Sequence, residues 1–376
     1  MIIDSDQHLY ESRTLWSDYC DPTHAEEALR IEDDDRGFAW LTWRGGRVQM
    51  ADVQLPGDPV AVGRHRRRWR EGLGPEYRYD EALPDDYWEP GARAAKLAEL
   101  GVDQAVVFPN FGLLWERPLS VSVPALTANM TAWNRWCGEV AATAGDALHP
   151  VAHLSLRQPE WLEAELDRLA SAGVRLAMIA PAPVDGRPLS HPEHDRIWAS
   201  FVAHGVTPVF HVADQPRVID EALYTDPADS FVPVLESVFL WTPAALAVTD
   251  LIVNGAFERH PELRIGIVEL SSIWVPQYLL MLDGAWDFTT TVNGKPLTEL
   301  RRRPSEYFRR QVRVSSFSYE QPAALTAQSD DLYMCCSDYP HGEGTATPIA
   351  DYARAGCEPG QPGGLFADNV ATLLGR

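Results

Sequence analysis

A closed (β/α)8 TIM barrel with an insertion after its first strand is the fold that this sequence of 376 residues predicts. Three observations lead there. Eight short runs rich in Val, Ile and Leu recur along the chain, amphipathic helical patterns separate them, and no hairpin joins one run to the next. Such alternation makes parallel βα units, and eight of them favour a barrel over its rival, an open doubly wound sheet. No GxGxxG or GxxxxGK motif follows any run, which also speaks against a nucleotide-binding open sheet.

The expected strands are Ile2–Ser5, Gln104–Phe108, Leu148–Leu154, Arg175–Ile179, Thr207–His211, Arg264–Glu269, Gln311–Ser315 and Leu332–Ser337. Helical patterns fall at Pro90–Leu100, Leu126–Ala144, Pro159–Ala172, His191–His204, Phe231–Arg259 and Trp274–Phe288. From about Cys20 to Asp86 the rhythm breaks. Phe38–Gln54 alternates apolar and polar residues around Gly45-Gly46, the pattern of a β-hairpin, and the basic run Arg64–Arg70 follows it. The whole chain, 1–376, is read as one barrel domain, with 20–86 an insertion covering the active site. Loops that follow strands sit on the catalytic face of a barrel.

Composition narrows the partners. With 32 basic against 54 acidic residues the net charge is -22, a field that repels nucleic acid and anionic membrane surfaces. The five cysteines are odd in number and follow no CxxC spacing, so a reducing cytoplasm is the expected location. The opening MIIDSDQHLYE carries charge where a signal peptide needs an apolar run, and a soluble, unexported protein is expected. A small-molecule substrate is the expected partner, and a homodimer stays open.

Three strand ends carry chemistry. Residues two apart on a strand share a face, so Asp6 and His8 can converge on one ion; alone, the triplet reads equally as a turn with a side-chain hydrogen bond. An apolar run ends in His211, and another delivers Asp338, which is also placed to cap a helix. All three fall at the same end of separate strands, and in a barrel those ends surround one axis. Two imidazoles with two carboxylates suit Zn²⁺, with Mn²⁺ as the alternative.

The segments IIDSDQHLYE, FERHPELRIGIVELSSIWVP (Phe257–Pro276), CCSDYPH (Cys335–His341) and FADNVATLLG (Phe366–Gly375) span nearly the whole chain. Together they resemble the amidohydrolase-related family that includes aminocarboxymuconate semialdehyde decarboxylase and γ-resorcylate decarboxylase. The resemblance implies a (β/α)8 barrel with one catalytic divalent metal. It carries Asp6 and His8 onto the first-strand ligand pair, His211 onto the fifth-strand ligand and Asp338 onto the eighth-strand aspartate. Two departures stand out. The family's decarboxylases commonly have a histidine in the sixth-strand motif where Glu269 stands here, and the fourth-strand segment Arg175–Pro183 lacks the lysine that bridges two metals in hydrolytic relatives.

The reaction expected is non-oxidative decarboxylation of a small aromatic or unsaturated carboxylic acid, with hydrolysis of an amide, lactone or cyclic imide as the alternative. Asp338, Glu269 and His211 are the expected catalytic residues. Glu269 serves either as acid or as a carboxylate orienting a ligand histidine. His341 either touches substrate or extends the turn after Pro340. Arg66 and Trp69 are the substrate-binding candidates from the insertion, against the plainer reading of the arginine run as a solvated face. Trp40, Trp43 and Trp88 are further candidates to line a pocket for a flat substrate.

Overall fold

The computed structural model describes residues 1–55, 58–213, 217, 219–226 and 232–376. Eight parallel strands form one sheet, in chain order around the barrel. They are β1 (Ile3–Leu9), then, beyond a small separate sheet, β5 (Gln104–Pro109), β6 (Leu148–His153), β7 (Leu176–Met178), β8 (Thr207–His211), β9 (Ile265–Val268), β10 (Val312–Ser316) and β11 (Tyr333–Cys335). Side-chain alternation divides most of the strands between two apolar layers. On β5, Ala105 and Val107 pack outward with the helices, whereas Val106 and Phe108 join Ile3, Val209 and Met334 inside the barrel. Val370 and Leu373, on the terminal helix Asp368–Leu373, belong to that inner layer and close the end of the barrel opposite the ligand-bearing strand ends.

Between β11 and β1 the sheet is not a continuous ladder. Asp338 N–H donates to Asp6 O at 2.8 Å and His8 N–H to Tyr339 O at 2.8 Å, forming the upper half of the seam. Lower down, Ile3 N–H donates to Phe366 O at 2.7 Å and Cys335 N–H to Leu365 O at 2.8 Å, so a C-terminal segment fills the gap. The Asp4 carboxylate spans the seam, accepting from the backbone N–H and hydroxyl of Ser337.

The small sheet lies within the expected insertion. Its strands β2 (Arg30–Asp33), β3 (Ala39–Trp43) and β4 (Gly46–Met50) are antiparallel. The hairpin turn is Arg44-Gly45, with φ of 49° and 75°, and Gly46 already belongs to β4. Positive φ at both central positions matches the right-handed twist of the flanking strands. The arginine run lies on a helix, Ala61–Arg70.

The helical pattern Phe231–Arg259 corresponds to three helices, Val234–Val238, Thr242–Val253 and Ala256–Arg259. Pro243 starts the second, and Gly255, with φ of 76°, separates the second from the third. Phe231 falls outside the described residues. No helix among the described residues is long and apolar enough to cross a membrane.

Candidate metal centre

The ligand-bearing strand ends converge as the barrel requires. Asp6, His8, His211 and Asp338 are all fully buried, at 0% exposure. His8 Nε2 lies 3.4 Å from Asp6 Oδ1 and 3.2 Å from Asp338 Oδ1, and His211 Nε2 lies 3.4 Å from Asp6 Oδ1. Glu269 joins them, its Oε2 3.3 Å from His211 Nε2 and 3.6 Å from His8 Nε2. Two groups with metal-ligating geometry result among the described residues: Asp6, His8, His211 and Glu269, and His8, Glu269, Asp338 and His341.

Local backbone devices aim these groups. One extra residue on β1 between Asp4 and Gln7 makes a bulge at Ser5-Asp6, and Asp4 Oδ1 accepts the Asp6 N–H at 3.1 Å. Glu269 and Asp338 both occupy left-handed backbone, with φ of 52° and 55°, a conformation that non-glycine residues hold only where the surroundings impose it. Ser315 Oγ accepts the Glu269 N–H at 2.9 Å, fixing one of these turns from β10.

Each imidazole spends one nitrogen on an acceptor that cannot donate. His8 Nδ1–H donates to Pro109 O at 3.1 Å, His211 Nδ1–H to Val212 O at 2.7 Å and His341 Nε2–H to Asn110 Oδ1 at 2.9 Å. In their neutral form the rings would turn lone pairs on His8 Nε2, His211 Nε2 and His341 Nδ1 toward the carboxylates. His341 stacks on His8 with ring centroids 3.9 Å apart and sets its Nδ1 2.8 Å from Asp338 Oδ1.

Lone pairs facing carboxylates in a buried site need a positive charge between them. Asp6 Oδ2, His8 Nε2, Glu269 Oε2, both Asp338 oxygens and His341 Nδ1 are buried without a hydrogen bond of acceptable geometry. Each such group costs about 1–3 kcal/mol if left uncompensated. Around a cation with bonds of ~2.1 Å, neighbouring ligand atoms stand roughly 3.0–3.4 Å apart, close to the spacing of these nitrogens and oxygens. The residues fit a divalent metal.

Electrostatics describe the same need for charge. Burial pushes the Asp338 carboxyl up to about 8, with Asp6 adding to the rise and His8 opposing it. Burial, then the charge of Asp338, raises Glu269. Burial works against ionisation of Asp6, yet His211 and His8 carry it below the usual carboxylate range. For His8, burial is outweighed by Asp338, Asp6 and Glu269, which raise it. Burial, then His8, holds His341 down to about 4. A divalent cation would take the place of the protons these shifts retain, favouring ionised carboxylates and neutral imidazoles.

A cavity of about 600 Å³ opens above the centre, with Glu269 and His341 in its wall. Val48, Gln49 and Met50 of β4 line it, as do Asn110, Phe111 and Leu113 from the loop after β5. Arg66 pairs with the buried Asp52 carboxylate, which lines the cavity, so Arg66 reaches the wall through Asp52. Trp69 packs edge-on against Trp40, with centroids 5.3 Å apart, and neither is among the described lining residues. Trp43 and Trp88 are likewise not among them.

Several supporting residues escaped the sequence reading. Besides Asp4 and Asn110, Glu11 is wholly buried and accepts the backbone N–H groups of Phe111 and Gly112 at 2.9–3.1 Å. It thereby anchors the loop that supplies Pro109 O to His8 and Asn110 to His341. Glu11 and Asp4 share the DSDQHLYE string with the ligands, a signal of several acids around one strand, but only tertiary contacts separate their roles. A Cβ on Gly112 would lie 2.7 Å from Pro109 Cβ and Cγ. Gly112→Ala is therefore expected to destabilise by about 1–3 kcal/mol, seen as a lowered Tm. An unchanged Tm would mean the loop yields freely.

Comparison with known proteins agrees with this architecture. No curated protein matches the chain in sequence. Among solved structures, an amidohydrolase from Mycobacterium avium subsp. paratuberculosis K-10 superposes with a TM-score of 0.78 at 23% identity, covering 99% of this chain and 98% of that one. The apo form of IDCase from Metarhizium anisopliae gives a TM-score of 0.67 at 15% identity, covering 100% and 97%. A 5-carboxyvanillate decarboxylase from Novosphingobium aromaticivorans, complexed with manganese and 4-hydroxy-3-methoxy-5-nitrobenzoic acid, gives 0.63 at 17% identity, covering 100% and 96%. At these identities the structures speak for the fold. The sequence itself matches the model of the family described as Amidohydrolase over residues 3–333, from β1 to the start of β11, and the chain thus belongs to the amidohydrolase family.

Proposed function

We propose that the protein is a divalent-metal-dependent carboxy-lyase that removes CO2 from a small aromatic or unsaturated carboxylic acid. The observation that carries this reading is the placement of carboxylate oxygens and imidazole nitrogens buried without hydrogen bonds beside a cavity whose wall includes Phe111, Leu113, Val212, Phe239 and Leu240. These apolar side chains suit the faces of a flat ring, and Arg117 and Arg217, also in the wall, suit a carboxylate carried on it. The superposed decarboxylase with a bound hydroxymethoxynitrobenzoic acid supports a ring-sized ligand.

Asp6, His8, His211 and Asp338 would hold the metal. A divalent cation bound there supplies Lewis-acid polarisation of substrate oxygens and a template for orientation. Pro109 O and Val212 O keep the His8 and His211 rings turned with Nε2 toward the centre. Asp338, with His341 Nδ1 2.8 Å from its Oδ1, is the group that gives a proton to the carbon bearing the carboxylate. The bond to the carboxyl carbon then breaks, its electron pair returns to the unsaturated system, and CO2 departs. His341, which lines the cavity and is held through Nε2 by Asn110, relays a proton taken up from solvent at Nδ1 to Asp338 and so resets it.

Purified protein incubated with panels of phenolic acids and of cyclic amides, with metal content measured in parallel, tests the assignment. Release of CO2 from a phenolic or unsaturated acid is the expected result. Ring opening without CO2 would replace the carboxy-lyase reading with a hydrolytic one. With the substrate so identified, Val48→Trp, which crowds the cavity from β4, should raise KM roughly 5- to 150-fold, the equivalent of about 1–3 kcal/mol of overpacking. Metal content should be unchanged, and an unaltered KM would remove β4 from substrate recognition.

A further inference from the structure

Glu269 stands where it cannot be an ordinary orienting group. A carboxylate that orients a ligand histidine accepts the N–H on the ring's far side from the metal. Those far-side positions are taken, by Pro109 O for His8 and by Val212 O for His211. Glu269 Oε2 instead faces the metal-side nitrogen of both rings, at 3.6 and 3.3 Å, and is buried without a hydrogen bond. It also completes the group that contains Asp6, His8 and His211, and it recurs with His8 in the group that contains Asp338 and His341.

We propose that Glu269 is a direct ligand of the bound cation, and that the resulting set of three carboxylates and two imidazoles shifts preference toward an oxygen-seeking, six-coordinating ion such as Mn²⁺ and away from Zn²⁺. The inference rests on the metal-centre reading above. Its chemical basis is the donor set. Closed zinc sites take four ligands in a tetrahedron, whereas carboxylate oxygens suit Mn²⁺, which accepts more of them. Zn²⁺ keeps the advantage it holds over Mn²⁺ at nearly all such sites, so the effect of Glu269 appears as a change in the ratio of the two affinities. The left-handed backbone at Glu269, with its N–H pinned by Ser315, is what turns this carboxylate inward.

The test uses metal-stripped whole protein titrated with Mn²⁺ and with Zn²⁺ against a chromophoric chelator, together with visible absorption of the Co²⁺-loaded form. Glu269→Gln is expected to weaken Mn²⁺ binding by ~10-fold or more and Zn²⁺ binding by clearly less, and to change the Co²⁺ bands as the coordination changes. Glu269→Asp, which keeps the charge but withdraws it by one methylene, should also alter the Co²⁺ bands while retaining more of the Mn²⁺ preference. Equal losses for both metals with unaltered Co²⁺ bands would make Glu269 a positioning residue and overturn the proposal. Failure of the unsubstituted protein to bind any metal would instead overturn the metal-centre reading itself, and with it this inference, while absence of CO2 release with metal bound touches only the reaction.

Discussion

Asp338→Asn is expected to keep most of its metal and lose ~10²–10⁴-fold in kcat, the usual range for removing a positioned acid or base. Asparagine preserves the shape and one coordinating oxygen, and its backbone can hold the same left-handed turn, since Asn tolerates that region better than most residues. The two Asp338 oxygens accept no hydrogen bond of good geometry, so the amide displaces no existing partner there. Metal analysis and steady-state rates on the same preparation check the result. Near-normal turnover with metal bound would move proton transfer to His341, whose Nδ1 faces the same space.

His211→Ala should lose most of the bound metal, with affinity falling by ~100-fold or more, and activity should fall with it. The imidazole lies between Phe108, 4.2 Å away by ring centroids, and His8, 5.2 Å away, and faces both Asp6 and Glu269. Truncation removes a ligand and leaves a hole at the end of β8, but the inner apolar layer below it, Val209 included, stays packed. Circular dichroism should therefore show a folded barrel. Full metal occupancy in this variant would sink the assignment of the centre.

The barrel was legible because its strands are buried on both faces and so appear as nearly continuous apolar runs, which a single sequence displays openly. His211, Glu269 and Asp338 were legible for the same reason, since each ends such a run. The bulge at Ser5-Asp6 was not. One extra residue in seven leaves no periodic trace, and its support comes from Asp4 and from Ser337 at the far end of the chain. The inward turn of Glu269 was hidden too, because positive φ at a glutamate is imposed by tertiary contacts such as that with Ser315. Phe231–Arg259 reads as one helix because its apolar residues recur with a helical period, while the interruptions depend on Pro243 in the first turn of the second helix and on Gly255 as the cap of the third. The arginine run concealed its division of labour: Arg64 holds Asp58 and Glu76, whereas Arg66 turns to the buried Asp52.

The open ladder between β11 and β1 would make a metal bound at the centre a mechanical part as well as a chemical one. Asp6 and His8 stand on one side of that seam and Asp338 on the other, so a cation gripping all three would be a rivet through a joint where the sheet lacks a full set of rungs. Binding energy spent there resists unzipping of the barrel, because an ion held only by the closed form adds to the stability of closure. It also orders events during synthesis. Asp6 and His8 emerge early and Asp338 only after all eight barrel strands, so an ion that needs all three would lock a finished barrel and not seed one.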